Sequence, residues 1–357
     1  MEDPASFLAR KAVKGMVGAI GSQYKKSRRE KTNAVDLGEI RFELLMSFRG
    51  HAKGPGKYQT AAVYSLDYDQ SREILATAGA DGTVRIWSKD RPDGRVILTM
   101  PGQSARSVAF ASDGRLAIGG DIKRLIVMEP VSANDVGPEV VRSWNYKHAM
   151  NRVAWAPRGN VLAAHTSSGD VVTCDASGGP LKVLFHRRLG EFVSAPCLRF
   201  TPDGTRIAWS TYESVAAHTA AGDQAESIRV AKSRTCGFDY SADGRQIAVG
   251  VDDGLIHVFQ WPGGEPVRVL RSHAPLSGLG ATVPAVEYSP DGQMIATAGY
   301  DGVLQIWRAN DGALLGRKDC QGGIIYALKW ISGGKEMAVA TGFGAVQVWA
   351  LARPGDR

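Results

Sequence analysis

A thirteen-residue segment, IATAGYDGVLQIW at residues 295 to 307, recurs along this chain and confines it to folds assembled from repeated β-hairpins. Ile295 to Ala298 reads as a small apolar strand. Gly299 to Gly302 reads as a turn in which glycine supplies positive φ, and Val303 to Trp307 as a β-branched and aromatic strand. LATAGADGTVRIW (75 to 87) is a close copy, and LAIGGDIKRLIVM (116 to 128), LAAHTSSGDVVTC (162 to 174), IAWSTYESVAAHT (207 to 219), IAVGVDDGLIHVF (247 to 259) and MAVATGFGAVQVW (337 to 349) align with it. The seven copies begin 41, 46, 45, 40, 48 and 42 residues apart, room for a four-stranded sheet and its turns, and each has alanine second.

A strand before each hairpin gives the same register independently. Tyr68, Phe110, Trp155, Phe200, Tyr240, Tyr288 and Trp330 hold one equivalent position, and an apolar residue stands two before each, on the same strand face. That face must be buried. Turns such as TPDG (201 to 204) and SPDG (289 to 292) follow. A fourth strand follows six of the hairpins, at 95 to 100, 140 to 144, 181 to 185, 227 to 230, 267 to 270 and 314 to 318. The seventh is missing, while IRFELLMSF at 40 to 48 is a strand without a repeat. Closing the array with it removes exposed sheet edges. The 42 glycines and 16 prolines suit so many turns, and 357 residues exceed one ordinary core.

These features resemble the WD40-repeat family of seven-bladed β-propellers over about 310 of the 357 residues. The implied fold is all-β: a closed seven-bladed propeller of four-stranded antiparallel blades, the last completed by an N-terminal strand. The expected divisions are a basic extension at 1–37, a propeller at 38–351 and a tail at 352–357. In that family a turn histidine, a turn aspartate, a strand-b Ser/Thr and a strand-c tryptophan form a hydrogen-bonded tetrad. Two repeats match completely, with His51, Thr77, Asp81 and Trp87, and with His273, Thr297, Asp301 and Trp307. The pattern erodes elsewhere: Cys174 and Thr219 stand at tryptophan positions, and the seventh repeat lacks the aspartate. Occurrence at repeat-equivalent positions makes the His-Asp-Thr set architectural rather than a catalytic relay.

The formal charge of +7 is concentrated at the start, where residues 1 to 35 hold eight Lys/Arg against three Asp/Glu. The body thus has no overall bias toward a polyanion, although residues 10 to 31 keep nucleic acid as an alternative partner. Val13, Met16, Val17, Ile20 and Tyr24 form one stripe of a basic amphipathic helix or tail able to dock on a partner surface. Four widely spaced cysteines indicate neither zinc nor a disulfide framework, and no apolar run is long enough to span a membrane. A cytoplasmic protein is expected, with no cofactor, no metal site and no catalytic motif.

Between the paired apolar positions of the first strand stand Asp67, Ala109, Ala154, Arg199, Asp239, Glu287 and Lys329. If they face the central channel, opposite charges in neighbouring blades neutralise one another. Family geometry nominates the face carrying the d-to-a loops and b-to-c turns for partners. Candidates there are Tyr212 and Tyr300 at turn tips and a basic ring of Lys53, Lys57, Arg106, Arg152, Arg187, Arg188 and Arg234. An acidic or phosphorylated peptide is a ligand class that suits this ring. The function expected is a non-catalytic interaction scaffold or adaptor subunit of a multiprotein complex. The alternatives are a nucleic-acid-associated subunit and a propeller enzyme with a central pocket.

Overall fold

The computed structural model describes residues 39–52, 61–130, 132, 139–186, 197–220, 222, 225–230, 233–274 and 280–352. The proposed extension with its Val13 to Tyr24 stripe, and Lys53, Lys57, Arg187 and Arg188, lie outside the described residues. The rest forms seven four-stranded antiparallel sheets, as the repeats predict. Blade 1 comprises Val63–Asp69, Ile74–Gly79, Thr83–Ser88 and Arg91–Thr99, strands a to d from the axis outward. Blades 2 to 6 repeat that order, and Ile325–Ile331, Glu336–Thr341 and Ala345–Ala352 begin blade 7.

Blade 7 takes its fourth strand, Arg41–Arg49, from the beginning of the chain. Arg41 lies opposite Ala352 and Phe48 opposite Val346, with a bulge between Leu44 and Met46. Just before it, the Ile40 N–H donates to the Leu315 carbonyl of blade 6 at 2.8 Å. Ile40 and Phe42 are buried in one cluster with Leu304, Ile306 and Trp349. The seam therefore grips two blades.

Alanine in second position is explained by packing. Ala76, Ala117, Ala163, Ala208, Ala248, Ala296 and Ala338 are all completely buried. Each is sandwiched in a middle strand, where added methylenes would overpack the contact between blades. The aromatics ending strand a are buried in blades 3 to 7 and half-buried in blades 1 and 2.

Antiparallel pairing brings the d-to-a connections and b-to-c turns to one end of the ring, the upper rim. Near that rim, strand a carries a register shift in five blades, between Val63 and Ser65, Ala105 and Ser107, Met150 and Arg152, Thr235 and Phe238, and Ile325 and Ala327. A bulge adds one residue and re-aims its neighbours. Side chains that strict alternation would place elsewhere thereby meet at the channel mouth.

Blade 4 departs from the sequence alignment. Ile207 pairs with His218, whereas Ile295, its counterpart, pairs with Trp307. His218, not Thr219, therefore occupies the strand-c tryptophan position, because the turn at 211 to 213 is one residue shorter than that at 299 to 302. The indole sits on strand b instead: Trp209 is 1% exposed and stacks on His218 with ring centroids 5.1 Å apart.

Candidate functional site

In blade 1, His51 Nδ1 is 2.9 Å from Asp81, His51 Nε2 is 2.8 Å from the Thr77 hydroxyl, and Trp87 Nε1–H donates to that hydroxyl at 2.8 Å. Blade 6 repeats the chain through His273, Asp301, Thr297 and Trp307 at 2.9, 3.1 and 3.1 Å. One tautomer serves both chains: indole N–H to threonine oxygen, threonine O–H to Nε2, and Nδ1–H to carboxylate. The chain joins turn, strand b and strand c within one blade. His273→Ala is expected to lower stability by about 1–2 kcal/mol, read from the urea midpoint, while leaving partner binding intact. Loss of binding by a fully folded variant would reassign the histidine.

Asp81 also carries a pH dependence. Burial alone would raise its pKa, but the His51 hydrogen bond and charge and the Thr83 and Ala52 N–H groups outweigh burial and hold it at about 2. A lowered carboxyl pKa contributes stability that is present above the ordinary value of 3.8 and is lost as pH falls toward 2. Asp81→Asn should flatten that part of the acid-unfolding profile; an unchanged slope in urea melts between pH 5 and 2 would contradict the assignment.

Blade 3 uses a substitute that the sequence pattern did not reveal. Asp170, 5% exposed, accepts from Tyr146 Oη at 2.9 Å, from Ser168 Oγ at 2.9 Å and from His186 Nδ1 at 3.2 Å. The carboxylate has moved to the residue just before strand c, Val171–Asp175. Its partners come from the preceding and following connections.

The strands a enclose an axial channel of about 360 Å³. Its charged residues form a continuous series. Lys329 Nζ lies 3.2 Å from Asp67 and 3.5 Å from Glu287, and Arg199 lies 3.2 Å from Glu287 and 3.4 Å from Asp239. The Arg199–Glu287 contact joins blade 4 to blade 6 and is not predicted by blade order. Attraction by Asp67 and Glu287 holds the Lys329 ammonium above its ordinary pKa despite burial. For Arg199, burial would lower the value, but Asp239 and Glu287 outweigh it.

These carboxylates have a second role. Asp67, Asp239 and Glu287 accept the backbone N–H groups of Phe110, Tyr288 and Trp330, each on strand a of the next blade, at 2.8, 2.9 and 3.2 Å. Ser65 and Ser107 accept from Val108 and Val153 in the same way. Strand a is the inner edge of its sheet, and these side chains satisfy donors that would otherwise be unpaired. The recurrence of Asp, Glu or Ser at the inward positions was the signal available in the sequence.

At the upper rim, two arginines of the expected basic ring are paired with carboxylates of their own blades. Arg106 is paired with Asp121 at 2.5 and 3.2 Å, and its guanidinium lies 5.6 Å from the Tyr64 ring centroid. Arg234 is paired with Asp252 at 3.4 Å and stacks on Tyr212. Asp121 and Asp252 occupy the turn-tip position that Tyr300 holds in blade 6. Blade 3 has Ser167 there, and among the described residues Arg152 hydrogen-bonds to backbone carbonyls alone, those of Arg106 at 3.3 Å and Asn151 at 3.1 Å.

The two tyrosines also differ. Tyr212, on the shortened turn of blade 4, is 42% exposed. Tyr300 does not project as a turn tip. It is 9% exposed, and its ring is 6.2 Å from Tyr326, which meets Tyr64 edge-on at 5.5 Å. Burial pushes the Tyr300 hydroxyl up to about 12. Tyr64 and Tyr326 are the bulged residues of blades 1 and 7, which strand periodicity could not place. Phe343, at the turn position held by Asp301 in blade 6, is 52% exposed. Its signal was the missing aspartate of the seventh repeat.

Among the described residues no group of three or more His, Cys, Asp or Glu side chains is arranged to hold a metal ion. No described helix is long and apolar enough to cross a membrane. Cys174, Cys236 and Cys320 are buried, and Cys197 is half-buried beside the channel.

The WD40 family pattern, described as WD domain, G-beta repeat, matches residues 42–88 and 264–308, the segments containing the two complete tetrads. With seven blades closed by the N-terminal strand, the chain is a seven-bladed β-propeller, two of whose blades match the WD40 repeat. It is similar to the serine-threonine kinase receptor-associated protein of Gallus gallus, at 21% identity over 72% of this chain and 70% of that protein. It is also similar to the angio-associated migratory cell protein of Canis lupus familiaris, at 24% identity over 72% of this chain and 47% of that protein. The β-propeller domain of Myceliophteria thermophila Cps50 (Swd1) shares the fold, with a TM-score of 0.70 at 14% identity, covering 87% of this chain and all of that domain.

Proposed function

We propose that the chain is a non-catalytic interaction scaffold, an adaptor subunit that engages a partner protein through its upper rim. The observation that carries this reading is the placement of exposed aromatics. Phe343 and Tyr212 lie on b-to-c turns of that rim at 52% and 42% exposure, in a fold that buries most of its aromatic rings. Large rings on a rigid rim gain little from the core and are suited to anchoring a partner. The channel carboxylates, by contrast, are engaged by Lys329, Arg199 and backbone N–H groups, which supports a structural role for them.

The relatives are consistent with this reading, one of them being named as receptor-associated. The test is quantitative affinity purification with the full chain and with a Phe343→Ser/Tyr212→Ala variant. A stoichiometric partner should be depleted roughly tenfold or more with the variant, at an unchanged melting temperature. An unaltered partner set would move the site away from this rim.

A further inference from the structure

We propose that the channel mouth is a receptor for a single carboxylate, an Asp or Glu side chain of an extended partner segment inserted between Arg152 and the Tyr64, Tyr326 and Tyr300 hydroxyls. This deepens the scaffold reading and rests on it.

The argument begins with a comparison among blades. In blades 2 and 5 an arginine near the start of strand a is neutralised by the aspartate at its own blade's turn tip, as Arg106 is by Asp121 and Arg234 by Asp252. Blade 3 repeats the arginine but has Ser167 at the tip, and no carboxylate lies within ion-pair distance of Arg152 among the described residues. Arg152 is half-buried and lines the channel. One of its terminal nitrogens makes both carbonyl bonds, and the other and Nε bond to none of the described residues. Arg199, deeper in the same channel, shows the contrast. Two carboxylates hold its pKa up, whereas burial draws that of Arg152 down. A cation so placed is a standing desolvation cost that an anion would relieve.

Tyr64 and Tyr326 line the same channel as Arg152, Tyr300 packs on Tyr326, and these groups suit the same ligand. Tyr64, Tyr326 and Tyr300 form a continuous cluster, and none of their hydroxyls has a hydrogen-bond partner among the described residues. An arginine fork and phenolic O–H groups offer donors to a carboxylate, which accepts at about four sites. Charge decides against phosphate. A phosphoryl group carries about −1.5 to −2 at neutral pH. Among the described residues the mouth has one uncompensated cation, and the charges below it, Asp67, Asp239 and Glu287 against Lys329 and Arg199, already lean negative. A single cation is also too little for a nucleic-acid backbone. Phe343 on the rim offers an apolar contact to a residue flanking the acid.

The test uses the full chain and three blocked peptides, acetyl-Ala-Glu-Phe-Ala-amide and its glutamine and phosphoserine analogues, titrated against ring-labelled tyrosine by NMR. The glutamate peptide should shift the tyrosine signals saturably and bind roughly tenfold or more tightly than the glutamine peptide. The phosphoserine peptide should bind no more tightly than the glutamate peptide. Arg152→Gln should abolish that preference with an unchanged or raised melting temperature, and Arg152→Lys should retain it in part. Equal binding of the glutamate and glutamine peptides, tighter binding of phosphoserine, or an undiminished preference in Arg152→Gln would overturn the proposal. If Arg152→Gln also keeps its full partner set while Phe343→Ser/Tyr212→Ala loses a partner, the scaffold reading stands and the carboxylate receptor fails.

Discussion

A chain beginning at residue 50 is expected to lose the cooperative melt of the full protein and to self-associate. It lacks the strand Arg41–Arg49, which pairs with the last strand of blade 7, and the Ile40 contact with Leu315 of blade 6. Ile40, Phe42 and Phe48 are buried there, each worth roughly 1.5–3 kcal/mol when withdrawn from water. Their sum alone approaches the typical net stability of a folded domain, roughly 5–15 kcal/mol. Trp349 and Val346 would lose cover, and the strand Ala345–Ala352 would become an unpaired edge. Calorimetry and size-exclusion chromatography would read the effect. A synthetic peptide spanning 39–49 should restore the transition in part, and a truncated chain with the full-length melt and elution volume would refute the role assigned to the seam.

Arg199→Leu should lower stability by about 3–5 kcal/mol, the cost expected when a buried ion pair loses one partner. Arg199 is the sole cation within ion-pair distance of Asp239 among the described residues, and it shares Glu287 with Lys329. Burial already holds the Asp239 carboxyl above its ordinary pKa with the arginine present. Without that cation its folded-state pKa should rise further, so the deficit should shrink as pH is lowered and the carboxyl takes up a proton. Arg199→Leu/Asp239→Asn should recover part of the loss at neutral pH, since the asparagine oxygen can still accept the Tyr288 N–H. Urea melts at pH 7 and pH 4 test both statements. A pH-independent deficit, or no recovery in the double variant, would show that the series of charges does not act as argued.

The architecture was legible because its constraints recur at fixed spacing. A buried alanine on strand b and an aromatic at the end of strand a reported the same packing contact seven times. The strand at 40 to 48 could be placed because the seventh repeat lacked its own fourth strand. The candidate site was less legible. Arg106 and Asp121 lie 15 residues apart, joined only when strands a and b pair, and the sequence counted the arginine as free charge. Tyr64 and Tyr326 reach the mouth through bulges, which break the alternation used to assign faces. Tyr212 and Tyr300 looked equivalent until the shorter turn of blade 4 left one outside and the other turned inward.

The carboxylate contacts to the next blade's backbone have a consequence for assembly. Each runs in one direction, from Asp67 to Phe110, from Asp239 to Tyr288 and from Glu287 to Trp330, so the two sides of a blade differ. In symmetry terms these are heterologous contacts, which end in a ring when the rotation closes and continue as a filament when it does not. Here the covalent order of the blades and the single seam at Arg41–Arg49 select the ring. A molecule whose seam strand is displaced presents blade 7 with an acceptor edge and carries the complementary strand on the same chain. Exchange of that strand between copies is therefore the geometrically favoured way for displaced seams to join one copy to another.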